Sequence, residues 1–309
     1  MIDPAVSALL AQAAAGPHRP RMGLVAIPER DWIVLGDDQR EKLVLKRRLL
    51  AEHHAEVFAA LPGTEEAGSE VAQLLFDHLP RRFPTRYPRM GTMFAIAATS
   101  ELVGMSSPSM HPLDLAGRLV PDDLCLVQED AAGVPRLVAA SLCFPSRWRL
   151  GEKLGHPLAE IHGPVPDYDR ALARPVDRFF GALADGRIVE RWNWTIHDSP
   201  ELFQPQSPRK HAVPPERFAD GLFMRNERQT LRRLARSRAI LFTIDTRVMP
   251  LGEVPPADAR NLAAAIGHLP DGELAYKGIA AIAAPLADWL AAGAAWLRDI
   301  PPRRALRRR

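Results

Sequence analysis

Cysteine is almost missing from this sequence of 309 residues, which contains only Cys125 and Cys143. Each of the two lies in an apolar, strand-like segment, LCLV or SLCF, and no CxxC pair is present. A zinc site of paired cysteines or an iron–sulfur cluster therefore cannot be built from this chain alone. We expect both thiols to be buried and unreactive, as in a protein of a reducing compartment.

Long hydrophobic runs and nucleotide-binding glycine motifs are missing as well. No apolar segment approaches the roughly 18 residues that a membrane-spanning helix needs, and the N-terminal MIDPAVSALLAQAAAG lacks the basic start of a signal peptide. No GxGxxG motif follows a predicted strand, and no GxxxxGK[ST] motif occurs. The sequence therefore predicts a cytoplasmic protein without a membrane segment, a Rossmann-type dinucleotide site or a P-loop.

The body of the chain carries no excess of either charge. The formal net charge of +3 depends on five arginines after Pro302, and removing these five from 40 basic residues leaves 35 against 37 acidic ones. A nucleic-acid-binding protein would carry its positive charge on a folded face. We predict a solvated basic tail at 301–309 and no nucleic-acid partner.

Strand-like patterns cluster in the middle of the chain and helical patterns lie outside them. This grouping favours an α+β arrangement around an antiparallel sheet, in a composition (47% hydrophobic, 25% charged) typical of a globular protein. The predicted strands are 122–129, 136–144, 187–196 and 239–248. The predicted helices are 39–61, 69–79, 111–119, 175–183, 223–236, 256–267 and 280–298.

The segment 141–168, SLCFPSRWRLGEKLGHPLAEIHGPVPDY, places a histidine at a forced helix end. A short amphipathic stretch ends at His162, directly before the GPVP turn. A histidine positioned by the backbone in this way can be an axial ligand to haem iron, with its second nitrogen held by a carbonyl or carboxylate. The alternative is that His162 only caps its helix and bonds the turn. A Cys143 thiolate is the less favoured ligand, because it lies inside an apolar strand.

Ten phrases, spread in order over about residues 20–295, resemble the haem-binding α subunit of the haem-dependent oxidative N-demethylase family. They are KRRLLAEHHAEVFAALPG, DHLPRRFP, LAGRLVPDDLCLV, LVAASLCFPSRWRLGEKLG, AEIHGPVPDYDR, RPVDRFF, WNWTI, ELFQP, MRNERQTLRRL and AILFTIDTRV. The resemblance implies an enlarged PAS-type fold, with haem between an antiparallel sheet and helices packed to one side. A single domain, 1–309, would then have a PAS-like core at about 120–250, flanked by helical segments 37–119 and 251–300.

The resemblance also implies a chemistry and partners. A small methylated amine such as dimethylamine would be oxidised by O₂ at haem b and would lose a methyl group as formaldehyde. Electrons would come from NADPH through FMN and a 2Fe-2S cluster on partner subunits, in agreement with the lack of cluster cysteines here. The same fold and ligand could instead serve a haem-based gas sensor or a non-catalytic haem-binding protein.

Three residues are predicted to act on oxygen or substrate. Arg225 would start helix 223–236, where a cation opposes the helix dipole and needs an anion such as a haem propionate or bound dioxygen. Glu190 and Asn193 lie on opposite faces of the strand ERWNWTI. Glu190 could hold a cationic amine or take its proton, and Asn193 could donate to bound oxygen. The alternatives are a solvated basic stripe for Arg225 and an exposed strand edge for Glu190.

Trp192, Tyr168 and His197 complete the predicted cofactor pocket, with core packing as the alternative for Trp192 and a surface position for the other two. The family pattern usually has tyrosine where this chain has Arg247. If that position lines the substrate pocket, an arginine would disfavour a cation and favour a neutral or anionic substrate.

Overall fold

The chain forms an α+β fold built on a seven-stranded antiparallel sheet. The computed structural model describes residues 2–105, 109–206 and 213–292. Within them the strand order of the main sheet is β1-β8-β9-β10-β6-β7-β2, and a small sheet has the order β3-β4-β5. The strands are β1 (Val25–Ile27), β2 (Phe58–Ala60), β3 (Arg89–Met90), β4 (Met93–Ile96), β5 (Glu101–Val103), β6 (Asp123–Glu129), β7 (Pro135–Ser141), β8 (Ile188–His197), β9 (Phe223–Arg233) and β10 (Ile240–Pro250). The α-helices are α1 (Pro4–Ala14), α2 (Gln39–Glu52), α3 (His54–Val57), α4 (Glu65–Arg82), α5 (Pro112–Gly117), α6 (Leu158–Ile161), α7 (Ala173–Ala182), α8 (Phe218–Gly221), α9 (Pro256–Gly267), α10 (Asp271–Tyr276) and α11 (Ala283–Ala291).

The four predicted strands are confirmed as β6, β7, β8 and β10. The first two form the predicted hairpin. Its turn is built by Asp130, whose side chain accepts hydrogen bonds from the backbone amides of Ala132 and Val134, and by Gly133, which adopts a φ of 77°. Asp and Gly are suited to such a turn because one bonds its own backbone and the other tolerates positive φ.

The predicted helix 223–236 is wrong, because most of this segment is the central strand β9. It pairs along its whole length with β8 on one side and β10 on the other. Its Met, Glu, Arg, Gln and Leu residues have good helix propensity, and a strand buried on both faces lacks a simple alternation of polar and apolar residues. Tertiary pairing overrode that propensity. Arg225 therefore does not lie at a helix N-terminus.

Two predicted helix ends also differ from the structure. The helix predicted to run to Leu61 ends at Glu52, and residues 58–60 become the edge strand β2 against β7. Pro80 was expected to stop the second helix, but α4 continues through it to Arg82. Because Pro80 has no N–H, the carbonyl of Phe76 one turn earlier lacks its helical donor, and the Arg89 side chain donates to it at 3.4 Å. The helices predicted at 111–119, 175–183 and 256–267 are confirmed as α5, α7 and α9.

At the C-terminus, the helix predicted at 280–298 is observed as α11 through Ala291. Its last residues and the basic tail lie outside the described residues. None of the helices in the described part of the chain has both the length and the hydropathy required to cross a lipid bilayer.

Side chains of the three central strands alternate between two faces of the sheet, and this alternation organises the molecule. The helical face carries Glu190 and Trp192 of β8, Arg228 and Thr230 of β9, and Thr243, Asp245 and Arg247 of β10. The His162 face carries Arg191, Asn193 and Thr195 of β8, Arg225, Glu227 and Gln229 of β9, and Phe242, Ile244 and Thr246 of β10.

Helices α2 and α4 pack on one half of the helical face, where Leu43 and Leu75 meet Leu124 and Leu241 in the largest core cluster. Helices α1, α9 and α11 cover the other half, in a second cluster that includes Trp194 and Leu262.

The His162 face is covered by the segment 142–185, in which Leu158 and Phe180 pack against Leu231 of the sheet. Helices therefore cover both faces, whereas the resemblance implied one. Only on the His162 face is the cover built largely of loops and short helical turns.

Candidate functional site

His162 follows α6 directly, as the sequence predicted, and the backbone holds its imidazole. Nδ1 lies 2.7 Å from the carbonyl oxygen of Leu158. A carbonyl can only accept, so Nδ1 carries the proton and Nε2 has the free lone pair. Nε2 has no hydrogen-bond partner among the described residues. Burial lowers the pKa of His162 below its ordinary value, so the ring is neutral at pH 7. This is the protonation state that a metal ligand requires.

Tyr168 stacks on the His162 ring, with centroids 5.1 Å apart and planes at 10°. The turn that brings it there is irregular: Asp167 has a φ of 56°, and Tyr168–Leu172 form a single π-helical turn. Positive φ at a non-glycine residue and π-helical turns are both enriched at functional sites. The buried tyrosine therefore fixes the ring plane of His162 from one side.

Across from His162, the sheet presents a row of polar side chains at its centre. Asn193, Glu227 and Thr246 lie side by side in register on β8, β9 and β10. Thr246 is fully buried, and its Oγ1 has no hydrogen-bond partner. A buried polar atom without a partner costs free energy, so a native structure usually supplies one from water or a ligand.

Two cations lie on this side of the sheet. Arg191 belongs to β8, two residues before Asn193 and on the same face, and Lys153 belongs to the covering segment 142–185. Both contribute to lowering the pKa of His162. Arg191 has a buried Nε without a hydrogen-bond partner. Lys153 lies over the Trp148 ring at 4.3 Å. Neither forms an ion pair with a residue that the structure describes, and burial lowers the pKa of both.

Solvent reaches the interior strands on the His162 face. Glu227, Gln229 and Phe242 are half-buried there, whereas Arg228 and Thr243 of the same strands on the helical face are buried. On the helical face, the half-buried side chains are Glu190, Trp192 and Arg247. The half-buried group on the His162 face indicates an opening between the sheet and the 142–185 layer. Tyr276 of α10 is half-exposed, and Glu227 contributes to raising its pKa.

Arg225 lies on the same face but its donors are occupied. The guanidinium donates to the carbonyls of Phe144 and Leu202, and its Nε lies 3.5 Å from Glu227 Oε1. It ties β9 to the two loops that cover this end of the sheet. A direct action on oxygen would require these bonds to break.

The predicted carboxylate Glu190 lies on the helical face, on the opposite side of the sheet from His162. It pairs with Arg228, whose Nη2 is 2.7 Å away, and Arg228 also donates to the backbone carbonyls of Asp31 and Trp32. Trp192 points to the same face and lies beneath Arg247 at 5.3 Å. The structure therefore does not bring Glu190 and Trp192 together with His162.

His197 is buried on the His162 face, and its two ring nitrogens are occupied. Nδ1 is 3.0 Å from Gln204 Oε1, and Nε2 is 3.2 Å from Thr195 Oγ1. Burial, together with Arg147 and Arg225, lowers its pKa to about 3. His197 is a neutral side chain that holds loop 199–204 against the strand, and not a free ligand.

Arg247 does not line the opening either. It lies on the helical face and pairs with Asp245 and Asp3, both at 2.8 Å. Arg247 therefore does not exclude a cationic substrate from the opening.

Sequence reasoning missed Glu227, Arg191, Lys153 and Thr246. Glu227 was assigned to a helix, and Arg191, Lys153 and Thr246 were not named as site residues because no local motif singles them out. The period-two alternation of Asn193 and Arg191, extended to the neighbouring strand, is the signal that could have found them.

The chain matches the family model described as "Haem-dependent oxidative N-demethylase, alpha subunit-like" over residues 23–287. It belongs to this family. Membership in the haem-dependent oxidative N-demethylase alpha subunit-like family implies a haem-dependent oxidoreductase that works within a complex of several subunits.

The side chains around His162 fit a haem-dependent member of this family. His162 is a neutral imidazole with a free Nε2, Arg191 and Lys153 are cations without ion pairs, and Phe242 packs beside Ile161 as an apolar wall. Within the described ranges, no group of three or more His, Cys, Asp or Glu side chains could hold a metal ion. Cys125 and Cys143 are buried, and burial raises the pKa of both thiols.

Proposed function

We propose that this protein binds haem b between His162 and the sheet and oxidises a small methylated amine with O₂, as a cytoplasmic oxidative N-demethylase. The observation that carries the proposal is the His162 imidazole, held through Nδ1 by a backbone carbonyl with Nε2 left free. Carbonyl-bound imidazoles of this kind are the usual proximal ligands to haem. The five strands from β6 to β10 would form its PAS-like core.

Haem would supply the oxygen and electron chemistry, and the chain would supply binding and orientation. His162 would hold the iron, with the ring plane set by Tyr168. Arg191 and Lys153 would each take a propionate, because both are half-buried cations that help to lower the pKa of His162 and form no ion pair with a described residue. Ile161 and Phe242 would exclude water from the ring faces.

Electrons must come from outside this chain. Its two cysteines cannot ligate a 2Fe-2S cluster, so the FMN and the cluster would lie on partner subunits. The membership in an alpha subunit-like family supports that division of labour.

The proposal predicts that the purified protein shows a Soret band and that His162→Gly loses haem or shifts the band. Imidazole added to the His162→Gly protein should restore the original spectrum, because it replaces the missing ligand. His156→Ala is the matched control, since His156 is an exposed histidine of the same segment whose side chain lies 2.8 Å from the Glu160 carboxylate. A His162→Gly protein with an unchanged spectrum would remove His162 as ligand.

Turnover separates the enzyme from a gas sensor. With haem bound, NADPH and a flavin- and iron–sulfur-containing reductase, dimethylamine should yield formaldehyde in a stoichiometry set by O₂ consumption. Stable binding of O₂ or CO without formaldehyde would favour the sensor.

A further inference from the structure

Glu227 occupies the centre of the sheet on the His162 face and is only partly satisfied. Its side chain is 13% exposed. Gln229 Nε2 donates to Oε2 at 3.0 Å, and Arg225 Nε lies at a long 3.5 Å from Oε1. A carboxylate has about four acceptor positions, so Glu227 retains open positions toward the opening.

Four other groups feel the charge of Glu227 without bonding to it. The carboxylate contributes to the pKa shifts of Lys153, Arg191, Tyr276 and Lys277, yet among the described residues none of the three cations forms a direct ion pair with it. Glu190 and Asp245 of the same three strands each have a cation at 2.7 Å, whereas the cation contact of Glu227 is the 3.5 Å approach of Arg225.

The polar and apolar groups around Glu227 are suited to one chemical class of ligand. Thr246 Oγ1, next to it in register, is buried without a partner, and the Asn193 amide on the other side has no hydrogen bond with a described residue. Ile244, two positions from Thr246 on the same face, and Phe242 beyond it are apolar. A small ammonium group has N–H donors for the oxygens and methyl groups for the apolar side.

We propose that Glu227 is the carboxylate that binds the protonated amine, with Thr246 and Asn193 orienting its N–H groups. This inference rests on the proposed function, in which the two propionates balance Arg191 and Lys153. Without them, the surplus of positive charge around Glu227 would oppose a cation. Glu227 then takes the role for which the sequence had suggested Glu190.

The test measures equilibrium binding of dimethylammonium chloride to the haem-loaded protein by calorimetry and by the Soret shift. Glu227→Gln keeps the shape and removes the charge, and it should weaken binding roughly ten- to a hundredfold, the range for a hydrogen bond to a charged group. Binding of neutral propan-2-ol, which has the same two methyl groups, should change less than about threefold. Thr246→Val should weaken dimethylammonium by a smaller factor of roughly five to ten.

Three controls separate the outcomes. Glu101→Gln removes a carboxylate that pairs with Arg47 on the small sheet and should leave binding unchanged. If Glu190→Gln abolishes binding and Glu227→Gln does not, the inference is overturned. It is also overturned if the haem spectrum is normal and wild type and Glu227→Gln bind dimethylammonium equally, in which case the proposed function survives. Loss of the Soret band from wild type would instead remove the proposed function.

Discussion

The two faces of the central sheet use charge in opposite ways. On the helical face, the charged side chains of the central strands have close ionic partners: Lys42 lies 2.7 Å from Asp245 and 2.9 Å from Asp38, and Arg228 pairs with Glu190. On the His162 face, Arg191 and Lys153 form no ion pair with a described residue, and Glu227 has a long contact of 3.5 Å with Arg225. Buried charges that pair internally serve structure, whereas charges held apart at an opening are available to a ligand.

Replacing one lysine on each face should give the largest difference in the free energy of unfolding. Lys42→Met should lower the free energy of unfolding by about 3–5 kcal/mol, because it leaves Asp245 and Asp38 without their shared partner in a buried site. Lys153→Met should lower it by less than about 1 kcal/mol while weakening haem binding. Urea denaturation of the haem-free proteins and haem titration measure the two effects. Equal destabilisation by both variants would contradict the comparison.

Asp122, which lies beside Asp245 under the helical face, should make the stability of the fold depend on pH. Burial and the neighbouring Asp245 raise its pKa to about 7, against Arg228, Lys46 and Lys42. Because the folded state holds this proton more tightly than the unfolded chain, stability should fall as pH rises from about 4 to about 7 and stay low above that.

Asp122→Asn should therefore stabilise the protein by about 1–3 kcal/mol at pH 8 and have little effect at pH 4. Thermal unfolding of both proteins across this pH range measures it. A gain of the same size at both ends would show that the Asp122 proton is not the cause.

Replacing Arg191 should have the smallest effect on the free energy of unfolding. Since its Nε has no partner in the described structure, Arg191→Met should leave the haem-free protein within about 1 kcal/mol of wild type, or slightly more stable. Haem affinity should fall, because the variant loses a cation proposed to hold a propionate. A large loss of stability in the haem-free state would show that Arg191 is a structural residue of the kind found on the helical face.

The sequence predicted correctly those elements whose start, end or turn is determined by neighbouring residues. The β6–β7 hairpin follows from Asp130 and Gly133, and the helix end at His162 follows from the glycine and prolines after it. Strand β9 could not be predicted this way, since its helix-forming residues are stabilised as a strand only by the two neighbours that pair with it. That one error also misplaced Arg225 and concealed Glu227.

By itself, the sequence determined the α+β class, the family and a histidine held at a helix end. Which side chains share a site was decided only by the tertiary structure. Alternation along β8 assigns Glu190 and Arg191 to opposite faces of the sheet, but it does not say which of the two faces the His162 segment covers. That choice depends on how the helices and the 142–185 layer pack on the sheet, a contact between residues far apart in the chain.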